Sequence, residues 1–358
     1  MKKLTLIIVS FCCFIISSYS QDIGNLKLKD YRPKPIHKVP VTDVKKAKFP
    51  VIDMHSHAYT ATEQDVEKWV QVMDEVGIEK TIILSFFTGA KFDSVYNIYS
   101  KYGARFEIWC GLDYTGYPAD GWENNTVKEL ERCYKIGARG VGELGDKGPG
   151  EMYSSPVQAK GLHIDDPALK PVLKKCADLK MPVNIHVAEP FWMYHPMDST
   201  NDGLINAYLW QVDTTAAGVL GYSALIKTLE NAVKDNPETT FIACHFANSC
   251  YNLEVLGKLL DTYDNLYADI SARYGETAAV PRYMTKFYEK YADKLLYGTD
   301  MGTEAAMYQF TFRILESNDE HFYDFDRIHY HWPCHGFGLS DKVLKKLYRT
   351  NALKILAR

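Results

Sequence analysis

The chain has 358 residues, 46% of them hydrophobic and 24% charged, which excludes a disordered polymer and suits a protein with a large core. Its formal net charge is −4, and it carries no basic block, so it is a poor match for a nucleic-acid binder. The length exceeds one ordinary domain but falls within the range of an α/β barrel.

The first stretch, "MKKLTLIIVSFCCFIISSYS", reads as a secretory signal. Lys2 and Lys3 form a positive n-region, Leu4 to Ile16 an apolar h-region, and Ser18 and Ser20 precede a cut before Gln21. The apolar run is too short to span a bilayer comfortably. Cys12 and Cys13 raise a lipoprotein reading, but Phe11 stands before Cys12 and the small residues of such a site are missing. An exported protein, periplasmic or secreted, is expected. Cleavage leaves 39 Lys+Arg against 45 Asp+Glu, a mature charge of −6. No later segment reads as transmembrane.

Residues 21–48 carry Pro33, Pro35, Pro40 and many lysines and read as an extended tether. From residue 49 to 358 short apolar runs alternate with amphipathic stretches, which predicts one domain. The candidate strands are 51–54, 80–85, 106–111, 139–143, 182–187, 240–245, 266–270 and 294–298. Helical patterns lie between them, among them "TEQDVEKWVQVMDEVG", "DPALKPVLKKCADLK", "SALIKTLENAVKDN" and "NLEVLGKLLDTYD". Eight strands alternating with helices predict an α/β fold, a (β/α)₈ TIM barrel. An open doubly wound sheet is the rival, but no Gly-x-Gly-x-x-Gly follows a strand, and "GDKGPG" at 145–150 reads as a loop. Six cysteines remain after cleavage, Cys110, Cys133, Cys176, Cys244, Cys250 and Cys334, without zinc-finger spacing. Disulfides and buried free thiols both stay open. Asn124-Asn125-Thr126 matches a glycosylation sequon.

Barrel active sites sit at the C-terminal ends of the strands. Strand one ends in His55-x-His57, and residues two apart on a strand share a face. Strand four ends in Glu143, strand five near His186, strand six in His245 and strand eight in Asp300. Each, taken alone, has a plain structural reading as a hydrogen-bonded core histidine, a cap or an ion-pair partner. Six such side chains at the same end of five strands point to a site for a divalent metal.

The order His-x-His, Glu, His, His, Asp resembles the amidohydrolase superfamily. "PVIDMHSH", "GARGVGEL", "MPVNIHVAEP", "NPETTFIACHFAN", "NLYADISAR" and "YADKLLYGTDM" look like its amidohydrolase-related (amidohydrolase 2) branch, and "GFGLSDKVLKKLYRTNALKIL" looks like the closing helix of that branch. One departure stands out. Many two-metal members carry a carbamylated lysine on strand four, where this chain has Glu143, as in the deoxyribonuclease-like members whose glutamate bridges two ions.

The resemblance and the residue types together imply metal ligation by His55, His57, Glu143, His186 and Asp300, with zinc preferred and one or two ions. Metal-activated water would attack a small ester, lactone or amide, with carbohydrate-derived compounds among the candidates. Asp300 would move the proton, and His245 would stabilise the oxyanion or bind a second ion. Arg273 is a candidate clamp for a substrate carboxylate. The aromatic segments 189–198 and 307–332 are candidate pocket walls, with packing of the outer helices as the equal alternative. His329, His331 and His335 are expected away from the strand ends. The rival readings are a metal-dependent non-oxidative decarboxylase and a non-catalytic exported binding protein. The expected partner is a small-molecule substrate, with homo-oligomers possible.

Overall fold

The computed structural model of the protein describes residues 23–148, 152, 157 and 159–357. The expected signal at 1–20 and part of the 145–150 loop lie outside the described residues. Eight strands follow in chain order: β1 (Val51–Ser56), β2 (Ile78–Leu84), β3 (Phe106–Trp109), β4 (Val141–Asp146), β5 (Val183–Val187), β6 (Phe241–Ala243), β7 (Leu266–Asp269) and β8 (Leu295–Leu296). All eight predicted strands are present. The largest differences in length are at β6 and β8, each three residues shorter than expected; after β6 a 3₁₀ turn begins at once at Cys244.

Parallel pairing joins β1-β2-β3 and β4-β5-β6-β7-β8. The two sheets meet at a parallel bridge between Cys110 and Val141. At the other seam Met54 N–H donates to Tyr297 O at 2.9 Å. The strands therefore close into the expected (β/α)₈ barrel. Ile52, Met54, Ile82, Leu84, Trp109, Ile242 and Leu296 form one apolar cluster. Strands as far apart as β2 and β6 meet in it, so it fills the interior, which in such barrels is packed and not a pore.

The helices wrap the outside. They are α1 (Glu63–Val76), α2 (Gly89–Tyr99), α3 (Trp122–Ile136), α4 (Lys170–Asp178), the short α5 (Leu204–Ala207), α6 (Tyr222–Asp235), α7 (Leu253–Thr262), α8 (Tyr274–Ala278), α9 (Pro281–Lys290), α10 (Ala305–Glu316), α11 (Asp341–Lys345) and α12 (Asn351–Leu356). The capping chemistry of α1 is legible in its sequence. Thr62 Oγ1 accepts from Asp65 N–H, and Gly77 ends the helix at φ +90. Val66, Trp69, Met73 and Val76 form its buried stripe. The closing helix predicted at the C-terminus is interrupted. A π-helical turn at Lys346–Thr350 separates α11 from α12, and Tyr297 N–H, at the end of β8, donates to Leu347 O in that turn.

Residues 24–50 contain no buried side chain. They form two short 3₁₀ turns and then extended chain that runs along α10. Five of the six cysteines are buried and Cys250 is half-buried; all six are free thiols. The hydroxyl of Thr126, in the sequon, is buried and donates to Asp113 O. No helix among the described residues is long and apolar enough to cross a membrane.

Candidate metal centre

The strand ends bring His55, His57, Glu143, His245 and Asp300 to one point. His55 is the fifth residue of β1 and is fully buried; His57 follows the last residue of that strand. Glu143 comes from β4. After β6 the chain turns at once, with His245 at φ +57 and Phe246, Ala247 and Asn248 also in the left-handed region. Asp300 is likewise left-handed, at φ +57, and its N–H donates to His55 O at 2.9 Å. Glycine makes room for this seam: a Cβ at Gly298 would lie 2.7 Å from the Cβ of His55.

Three imidazoles have their Nδ1 tied. His55 Nδ1 donates to Asp269 Oδ2 at 2.9 Å. His57 Nδ1 donates to Leu84 O at 2.7 Å, and His245 Nδ1 to Ser271 O at 2.9 Å. A carbonyl only accepts, so in His57 and His245 the hydrogen sits on Nδ1 and Nε2 is left to face the centre. There the Nε2 atoms meet two carboxylates. His57 Nε2 lies 3.0 Å from Asp300 Oδ1 and 3.5 Å from Glu143 Oε2. His55 Nε2 is 3.6 Å from Asp300 Oδ1, and His245 Nε2 is 3.4 Å from Glu143 Oε1.

These separations fit a shared cation. Ligands about 2.1 Å from an ion lie about 3.0–3.4 Å from one another. His55 Nε2 is buried and has no hydrogen-bond partner, which is costly unless something positive or a donor reaches it. The electrostatics agree. Burial opposes charge on His55, yet Asp269 and Asp300 outweigh it and push its pKa up to about 10. The carboxylates that would hold a proton there would hold a cation there. Burial also opposes ionisation of Asp300 and Glu143, but the surrounding imidazoles hold Asp300 below the ordinary carboxylate range and Glu143 well below it. His245 goes the other way, down to about 4, through burial and the neighbouring His186.

His186 joins the centre at one remove. Its Nδ1 is 2.7 Å from Glu143 Oε1, while its Nε2 is buried without a hydrogen bond, 3.6 Å from Glu189 Oε2. Cys244 also lies within reach of His55, Glu143 and His245. Its thiol is bonded to Asn184 Oδ1 at 2.8 Å and is pushed well above its ordinary pKa by burial and nearby carboxylates.

A cavity of about 300 Å³ opens onto His186, His245 and Asp300. Arg273 lines it, with Nε donating to Asn248 Oδ1 at 2.8 Å and Nη1 3.6 Å from Glu276 Oε1. Lys147 lines it too, paired with Glu189 at 2.7 Å. The aromatic segments divide. Met193 and residues 327–330 line the cavity, whereas Tyr308, Phe310 and Phe312 of α10 pack into the core. His329 lines the cavity and so lies closer to the site than expected. His335 instead bonds Ala278 O, and His331 lies 4.0 Å from Asp202.

Sequence reasoning missed Asp269. Its Oδ2 holds His55, and its Oδ1 accepts from His245 N–H at 3.0 Å and from Ser271 Oγ at 2.5 Å. The available signal was its place near the end of strand seven, the same edge that supplied the other residues. Asp53 was also missed. It clasps β1 to the strand-eight loop through Thr299 N–H at 3.0 Å and Thr299 Oγ1 at 2.5 Å.

A family model described as "Amidohydrolase" matches residues 52–358. No curated sequence relative matches the chain. Among solved structures, a dihydroxybenzoic acid decarboxylase from Polaromonas sp., with bound manganese and the inhibitor 2-nitroresorcinol, is similar at TM-score 0.53 and 16% identity, covering 86% of this chain and 97% of that one. A 5-carboxyvanillate decarboxylase from Novosphingobium aromaticivorans, complexed with manganese, is similar at TM-score 0.51 and 15% identity, covering 89% and 100%. A probable 2-pyrone-4,6-dicarboxylic acid hydrolase from Acinetobacter baumannii is similar at TM-score 0.50 and 12% identity, covering 87% and 100%. At these identities the likeness concerns the fold.

Proposed function

The chain belongs to the amidohydrolase family and is a metal-dependent enzyme of that superfamily, and from this premise we propose that it is a hydrolase of a small ester, lactone or amide, with carbohydrate-derived compounds among the candidates. Family membership sets aside the non-catalytic binding protein. The observation that carries the hydrolase reading is the place of Asp300, whose Oδ1 lies 3.0 Å from His57 Nε2 and 3.6 Å from His55 Nε2, where it would meet water on an ion held between them. Burial works against its charge, but His55, His57 and His245 keep it ionised. An ionised Asp300 can take a proton from water and has none to give at the outset.

His55, His57 and Asp300, with Glu143 beside them, are the residues that would hold the ion. A divalent cation there would supply Lewis acidity and lower the pKa of water. Zinc is our preferred ion on the imidazole-rich donor set; two of the similar structures hold manganese. Asp300 accepts the proton of the attacking water and returns it to the leaving group. His245 is neutral, with its hydrogen held on Nδ1, so its Nε2 is a proton acceptor or a ligand. That argues against the oxyanion-donor role considered from sequence.

The decarboxylase reading has its own support. Arg273 faces the cavity, and two of the similar structures carry that activity in their descriptions. Metal analysis of the purified protein, followed by a panel of esters, lactones, amides and ring carboxylic acids with CO₂ detection, separates the two. Turnover without CO₂ supports hydrolysis; CO₂ release from a carboxylic acid overturns it. We further propose export after removal of residues 1–20. Terminal sequencing of protein from cells should begin at Gln21, and a retained Met1 in the soluble fraction would rule export out.

A further inference from the structure

The sequence has six tryptophans, and Trp210 differs from the rest. Trp69, Trp109 and Trp122 are buried. Trp192 and Trp332 pack against each other, ring centroids 6.1 Å apart. Trp210 is 59% exposed, yet it lines the same cavity that reaches His245 and Asp300. Tyr208 and Leu209 beside it are 55% and 54% exposed, so Trp210 belongs to a contiguous exposed apolar patch, the kind that marks a contact surface.

The loop that carries Trp210 is built, not loose. Trp210 N–H donates to Ala207 O at 3.1 Å, and Val212 N–H donates to Met193 O at 3.0 Å. Asn206 Nδ2 donates to Tyr330 OH at 2.7 Å, which ties the loop to the opposite wall, and Tyr330 OH in turn donates to Glu276 Oε1 at 2.6 Å. These bonds fix the backbone that carries Trp210, so little main-chain freedom is lost when a ring settles on the indole. Polar side chains border the same space, among them Asn206, Arg327 and His329. A ring with an apolar face and hydroxyls at its edge suits both features, the face on the indole and the edge against the polar groups.

We propose that Trp210 is the stacking platform of a distal subsite for a hydroxylated ring of the substrate, a pyranose or a phenol, while the reacting group lies at the metal centre. This rests on the cavity being the substrate chamber. It does not depend on which bond is broken there.

The test uses the full chain loaded with metal and two neutral probes, methyl β-D-glucopyranoside and p-cresol, titrated separately by calorimetry. Neither probe carries a carboxylate, so Arg273 does not decide the result. One probe should bind. Trp210→Ala should weaken it by about 3- to 10-fold, the usual worth of one aromatic contact, and Trp210→Phe should retain most of the affinity. Metal content should be the same in all three proteins, which separates this outcome from a failed metal site. Binding of the glucoside identifies a saccharide subsite, and binding of p-cresol a phenolic one. The proposal is overturned if neither probe binds, if Trp210→Ala binds as wild type does, or if Trp210 proves buried between two copies of the chain in solution.

Discussion

At the scale of single residues, the centre works by fixing tautomers. A histidine offers a lone pair to an ion only from a nitrogen without hydrogen, and the group on the other nitrogen decides which that is. Asp269 does this for His55 and, through Ser271, is linked to His245. His55→Ala should abolish metal binding and turnover while the circular dichroism stays that of a folded barrel. Asp269→Asn should weaken metal affinity by about 10- to 100-fold, as loss of such an orienting partner usually does; competition with a chelator measures it, and wild-type affinity would remove Asp269 from the design. His245→Asn separates two roles. With His245 as proton acceptor, metal content holds and kcat falls by about 10²–10⁴. With His245 as a second ligand, metal drops from two equivalents to one. Unchanged metal with near-normal kcat would leave it a core histidine. The ligand types were legible because the strand-end rule gathers them from distant segments. The orienting groups were not: Leu84 O and Ser271 O are backbone atoms, and only the folded chain says where they point.

At the scale of elements, strand identity followed from apolar runs and helix identity from amphipathic ones, because each alternative face must meet water or core. The ends were harder to read. Left-handed turns are signalled by glycine, yet after β6 they fall on His245, Phe246 and Ala247, and nothing local in the sequence announces that. The end of α4 is a second case. Lys180 lies at φ +52, with its N–H donating to Ala177 O at 2.9 Å and Met181 N–H donating to Cys176 O at 2.8 Å. That is the hydrogen-bond pattern of a helix end that normally carries glycine, as Gly77 does after α1. The Lys180 side chain is exposed, and it precedes the N-terminal end of β5, whereas His186 lies at the other end of that strand. Lys180→Gly should therefore stabilise the fold by about 1 kcal/mol, the cost of a left-handed residue with a Cβ. Urea unfolding checks it through a raised midpoint at unchanged slope. A lowered midpoint would mean that the added freedom of glycine in the unfolded chain outweighs the relieved strain.

At the scale of the whole molecule, the barrel and its N-terminal segment are held by different forces. The barrel is joined by apolar burial. The segment has Ile36 85% exposed and Val41 74% exposed, and only near its end do Val44, Ala47 and Phe49 pack, partly buried, against the core, so apolar burial does not hold most of it. Polar contacts do. Thr42 N–H and Oγ1 donate to the two oxygens of Asp319 at 2.9 and 2.6 Å, and Arg313 Nε donates to the same carboxylate at 2.7 Å. Lys48 N–H donates to Glu316 Oε1 at 3.0 Å. Asp319 precedes by eight residues the stretch 327–330 that lines the cavity. Burial pushes the Asp319 carboxyl up, but Thr42 and Arg313 together bring it below its ordinary value. A depressed folded pKa means that the clasp is at full strength above the ordinary carboxylate value of about 3.9 and is lost as pH falls through the lower folded value. Hydrogen exchange at the Thr42 amide, corrected for the intrinsic rate, should show protection at neutral pH that fades below about pH 4. Asp319→Asn should show weak protection at every pH, with the barrel strands unaffected. Protection that persists in that variant at neutral pH would place the attachment elsewhere, at Lys48 and Glu316.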